Sequence, residues 1–136
     1  MRRGEVNHRM QRHAVLRAVR TGEVSRASAC DAHRELVRAG THIGDPAGEP
    51  CPVCGADRLR HVRYVFTGRR SGKRGEGGRA VPADKWETTL AKLGDVKVFL
   101  VEVCIECRWH HLLESYWDLR EAAPPGQRRS GRSAAK

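Results

Sequence analysis

The sequence predicts an α+β protein, an N-terminal helical hairpin followed by a small antiparallel β zinc ribbon. Three observations predict it: two CxxC pairs far apart in the chain, three strand-length segments around them, and helical apolar spacing in the first forty residues. At 136 residues the chain suits one ordinary domain. Hydrophobic residues make up 39% and aromatics 5%, which leaves a thin apolar core and calls for another source of stability.

The N-terminal region, residues 1–45, reads as the hairpin with a basic start. Met10, Ala14, Val15, Ala18 and Val19 share one half of a helical wheel, while Arg9, Arg12, His13, Arg17 and Arg20 fill the other. Leu16 falls on the basic side. Gly22 is the expected stop and Ser25 the expected N-cap of the next helix. Ala29, Ala32, Leu36 and Val37 give that second helix an apolar face ending at Gly40. Residues 41–50 combine prolines, glycines and acids and read as a linker.

Residues 46–120 carry the metal motif. Cys51, Cys54, Cys104 and Cys107 form CPVC and CIEC, and each pair lets a tight turn present two thiolates to one ion. Gly55 follows the first pair, as a turn with unusual dihedrals requires; Arg108 stands at the corresponding place in the second and departs from the pattern. The 49 residues between Cys54 and Cys104 exceed the roughly 15 to 20 usual between ribbon knuckles, so an insertion is expected over residues 67–95. Without it, one strand leads out of the first knuckle and one returns to the second. Leu59 to Thr67 and Val96 to Val103 have the β-branched and aromatic content for that, and Trp109 to Trp117 reads as a third strand. Strict alternation would put Trp109, His111, Leu113, Ser115 and Trp117 on one face, which packs against the core or serves as a stacking platform. A short helix is expected from Ala83 to Leu93, stopped by Gly94.

The expected ion is one structural Zn²⁺. Four cysteine ligands close the coordination shell and leave no position for water or substrate. A thioredoxin-like redox CxxC, a rubredoxin-type iron site and incidental cysteines are the alternatives for these residues. His110 and His111 sit beside the second knuckle but are surplus to a saturated site. Cys30 reads as a small hydrophobe on the second helix, without a functional role. No nucleophile and base can be assembled, so neither an enzyme nor a small-molecule substrate is expected.

Lysine and arginine number 26 against 16 acids, a formal charge of +10. Four zinc-bound thiolates lower this to about +8, still strongly basic. The charge points to a polyanionic partner: nucleic acid, or a nucleoprotein or RNA polymerase assembly. Arg69, Arg70, Lys73, Arg74 and Arg79 lie in a glycine-rich stretch with no apolar face, and with Arg108 they are the candidate contacts. Residues 121–136 have the composition of a disordered basic tail. The alternative is a protein–protein adaptor with a structural zinc and no nucleic-acid contact. No membrane span or signal peptide is evident, and a cytoplasmic location is expected.

The stretches VSRASACDAHRELVRAG, CPVCG and VEVCIECRWHHLLESY resemble a family of small, uncharacterised actinobacterial proteins. The resemblance covers most of residues 10–117. It implies a cytoplasmic protein with a Cys₄ zinc-ribbon-like core and assigns no activity. The knuckles are also similar to ribbons of transcription and translation proteins, an analogy of fold that does not fix function.

Overall fold

The computed structural model describes residues 1–67 and 78–120. One mixed-length antiparallel sheet organises them. Its strands are β1 (Arg2–Asn7), β2 (Asp45–Pro46), β3 (Leu59–Phe66), β4 (Arg79–Ala80), β5 (Val96–Cys104) and β6 (His110–Asp118). They are ordered β1-β6-β5-β3-β2, and β4 pairs with β3. Helices α1 (Arg9–Arg20), α2 (Arg26–Ala29), α3 (Arg34–His42) and α4 (Trp86–Leu93) pack around it.

The long central strands form where β-branched residues are densest. β5, VKVFLVEVC, pairs with β3 from Leu59↔Cys104 to Phe66↔Lys97. That is the out-and-back path expected on either side of the insertion, and it brings the start of β3 beside the end of β5, where the knuckles lie. The helix expected from Ala83 is present as a 3₁₀ turn, Ala83–Lys85, running into α4 and stopping at Gly94. With α4, the residues Val65, Val81, Leu90, Val96, Val98 and Tyr116 fill one core cluster.

The N-terminal hairpin is corrected. The chain begins with a strand, β1, paired to β6. Its six residues, RRGEVN, are all exposed, so nothing in their polarity announces an edge strand. The second expected helix is two. Ser25 does cap, accepting from Ser28 N at 3.1 Å, but α2 lasts one turn. The chain then runs extended through Cys30 to His33, whose Nδ1 accepts from Glu35 N at 3.0 Å and starts α3. Gly40 lies inside α3 rather than ending it.

The two longer helices flank the sheet instead of each other. Arg12 of α1 meets Glu102, and Gly40 of α3 meets Val103; adjacent strand residues point to opposite faces. The face of α1 turned inward is also not the expected one. Leu16, on the basic half, is the buried residue at 7% exposure, and Met10 is 82% exposed. The inward arginines have acids waiting. Arg12 Nε lies 2.5 Å from Glu102 Oε2, and Arg9 Nη1 2.9 Å from Glu114 Oε2.

β6 does not alternate strictly. Leu100 pairs with Glu114 and Val101 with Leu112, so a bulge at Leu113 switches the faces of the residues beyond it. Trp109 is buried at 1% exposure with its indole N–H on Glu102 Oε2 at 2.8 Å. It belongs to the core, whereas Trp117 lies on the opposite half of the strand's path.

Candidate metal centre

The four motif cysteines converge at the end of the sheet where β3 begins and β5 ends. Cys51 and Cys54 lie on the loop entering β3; Cys104 closes β5, and Cys107 lies on the turn into β6. All four Sγ atoms fall within 4.8 Å of one another. Cys51 and Cys107 are 3.8 Å apart and Cys54 and Cys104 3.7 Å. A tetrahedral ion with metal–sulfur bonds of about 2.3 Å sets its sulfurs about 3.8 Å apart.

The two turns are near copies. Gly55 N donates to Cys51 O and Arg108 N to Cys104 O, both at 2.9 Å. Cys51 N donates to Ala56 O at 2.9 Å and Cys104 N to Trp109 O at 2.8 Å. The residue after each second cysteine is left-handed, with φ of +79° at Gly55 and +74° at Arg108. The second knuckle thus obeys the same backbone rule without glycine. Arg108 is held there by the chain it clamps: Ala32 N donates to Arg108 O at 3.0 Å, and the Arg108 guanidinium donates back to Ala32 O through Nε at 3.0 Å and through Nη2.

Backbone amides point at the sulfurs. Val53 N and Cys54 N lie 3.3 and 3.5 Å from Cys51 Sγ. Glu106 N and Cys107 N both lie 3.4 Å from Cys104 Sγ, and Ala56 N 3.5 Å from Cys54 Sγ. Such donors stabilise thiolates. Burial pushes the Cys51 and Cys107 thiols up, partly offset by the Cys54 and Val53 amides at Cys51 and by the Trp109 amide at Cys107. For Cys54 burial works the same way but is outweighed by the Ala56 amide and the neighbouring thiols, and the group sits below its ordinary value. As thiolates, four sulfurs at this spacing would need a cation among them, and a soft, tetrahedral donor set fits zinc or iron. These residues could hold such an ion with no position left over for substrate.

A fifth sulfur stands beside the set. Cys30 Sγ is 3.6 Å from Cys107 Sγ, delivered by the segment that Arg108 clamps. Sequence reasoning gave Cys30 no role, and no spacing rule could have found it, since its neighbour lies 77 residues on. Neither His110 nor His111 enters the cluster. His110 Nε2 is 3.0 Å from Asp31 Oδ1, and His111 Nδ1 donates to Leu112 O at 2.7 Å while its ring stacks on Trp109.

Of the candidate nucleic-acid contacts, Arg69, Arg70, Lys73 and Arg74 lie outside the described residues, as does the 121–136 tail. Arg79 is exposed on β4. Arg108 spends its guanidinium on Ala32 O, a structural task.

The sequence pattern of a family of unknown function, DUF5318, matches residues 1–132. The chain belongs to that family. Uncharacterized proteins of Mycobacterium bovis and of Mycobacterium tuberculosis are each 32% identical to it over 136 residues, covering 96% of this chain and 97% of theirs. No solved structure matches the chain. Among the described residues no helix is long and apolar enough to cross a membrane.

Proposed function

We propose that this chain is a non-catalytic protein, stapled by one structural zinc, that binds nucleic acid, alone or within a nucleoprotein or RNA polymerase assembly. The observation that carries the reading is the closed set of four thiols at tetrahedral spacing, in a chain whose formal charge is +10. A closed shell supports a structural ion rather than a Lewis-acid centre. Zinc binding in small modules is worth about 10 to 16 kcal/mol at neutral pH, which matches the about 5 to 15 kcal/mol by which whole domains are stable. The excess of arginine and lysine then supplies attraction for phosphates.

The test is the salt dependence of binding to a labelled single-stranded oligonucleotide. Log K is expected to fall steeply with log salt. Each phosphate contact on a single strand contributes a slope of about −0.7, so reversing the charges of Arg69, Arg70, Lys73 and Arg74 together should flatten the line by about 3 units. Weak binding that is insensitive to salt would overturn the reading and favour the protein-only adaptor.

A further inference from the structure

The half of the sheet remote from the cysteines carries a face that is open over β5, β6 and β1. Register places Phe66, Lys97, Trp117 and Arg3 in one cross-strand row over β3, β5, β6 and β1. Tyr64, Phe99, Ser115 and Val6 form the row beside it. Alternation turns both rows away from Val65, Val98 and Tyr116, which lie under α4. α3 packs on this same side of the sheet but at the knuckle end, over Val62 and Val103. It reaches Tyr64 at the end of the second row, and Gly78 lies against the Phe66 ring; beyond these contacts no helix among the described residues packs on Phe99, Lys97, Trp117 or Val6. Phe66 remains 36% and Val6 46% exposed, and Phe99 and Trp117 are half-buried.

The side chains there are arranged as a unit. The Phe66 and Phe99 rings meet edge to face with centroids 5.3 Å apart. Lys97 Nζ stands between two rings, 5.9 Å from the centre of Phe99 and 5.4 Å from that of Trp117. Ser115, nearly buried between Phe99 and Val6, makes a flat floor. Neither row contains an acid.

We propose that this face binds a single-stranded nucleic acid, with bases stacked on Trp117 and Phe99 and phosphates held by Lys97 and Arg3. The proposal rests on the nucleic-acid reading above and gives it a site. Rings with interleaved cations suit a strand whose bases are free to splay out; a duplex keeps its bases stacked on one another and offers only phosphates. The charge also opposes the obvious competitor: two copies of a chain at +10 repel when their basic faces meet. Thr67 and Arg120, the described residues that lead into the basic runs of the sequence, lie at this same end of the sheet.

The experiment measures binding of the full-length, zinc-loaded chain to a labelled oligo(dT), an oligo(U) and a duplex of equal length, with tryptophan fluorescence read in parallel. Single strands should bind more tightly than the duplex and quench the emission. Trp117→Leu and Phe99→Leu should each weaken single-strand binding by about tenfold or more, the usual effect of losing one stacked base, with the salt slope unchanged. Trp117→Phe should restore most of the affinity but not the quenching. Phe66→Leu, at an exposed position, should weaken binding less and serves if the other variants do not fold. Variants that bind like the wild type, without quenching in the wild type, would overturn the site while leaving charge-driven binding standing. A wild-type chain that binds no single strand at low salt would overturn both. A dimer converted to monomer by Trp117→Leu would assign the face to a second copy and overturn the site.

Discussion

Replacing Arg12 by methionine removes the cation from a carboxylate that is 1% exposed. Arg12 reaches Glu102 from α1 at 2.5 Å, with its own side chain 15% exposed. The same oxygen, Glu102 Oε2, accepts the indole N–H of Trp109 at 2.8 Å, so one carboxylate ties α1, the central strand and the exit of the second knuckle together. Breaking a buried pair from one side costs about 3 to 5 kcal/mol, because the other charge stays behind. The Trp109 bond survives and water reaches part of the vacated space, which puts Arg12→Met near the lower bound, about 3 kcal/mol. With a urea dependence of about 2 kcal/mol per molar, the unfolding midpoint should fall by about 1.5 M. Glu102→Gln keeps an acceptor for Trp109, and combined with Arg12→Met it should recover most of the loss, since no charge is then stranded. The assay is urea unfolding at fixed free zinc, followed by circular dichroism. A loss under about 1 kcal/mol for Arg12→Met, or a double variant no better than the single, would refute the account of how α1 is held.

Three further outcomes follow from the geometry. Serine at Cys51, Cys54, Cys104 or Cys107 should abolish stoichiometric metal binding, whereas Cys30→Ser should retain the ion, because its sulfur touches Cys107 but lies outside the mutually close set; elemental analysis of the purified variants checks this. Gly40→Ala should destabilise by about 1 to 3 kcal/mol despite alanine's better helix propensity, because the added Cβ would sit 2.9 Å from Val103 Cγ1 and 3.2 Å from Ile105 Cγ2; a melt no lower than the wild type would contradict it. Burial holds His61 below the ordinary histidine range; Glu102 opposes this, and Arg63 and Arg9 reinforce it. Its neutral form is therefore favoured in the fold, and the stability this gives is full above the unfolded value of about 6.5 and lost as pH falls through the lower folded value. Between pH 7.5 and 5.5 at saturating zinc, the wild type should lose more stability than His61→Gln, with thiolate protonation common to both; equal declines would count against it.

The cysteine cluster was legible because its chemistry is local: a CxxC pair and its turn are nearly contiguous in the chain, and β-branched density marked the strands that bring the pairs together. The α1 face was misread because a helical wheel assigns arginine to water, and the acids that draw Arg9 and Arg12 inward, Glu114 and Glu102, lie about a hundred residues away in sequence. β1 gave no signal, since an exposed edge strand needs no apolar pattern and takes its order from β6. The break between α2 and α3 follows from a long-range clamp, Ala32 against Arg108. Arg108 itself appeared atypical where the knuckle geometry wants glycine, and the clamp is what its side chain does there. The aromatic face was half visible: Trp109 and Trp117 were expected on one face, in the core or on a platform, but the bulge at Leu113 sends Trp109 into the core and leaves Trp117 beside Phe99 and Lys97.

We propose that one ion at Cys51, Cys54, Cys104 and Cys107 holds this fold. Elemental mass spectrometry of the purified chain, with a thermal melt before and after chelation, tests it most directly. One zinc per chain is expected, with loss of the cooperative melt once the metal is removed. A chain that carries no metal, or one that melts unchanged after chelation, would contradict it.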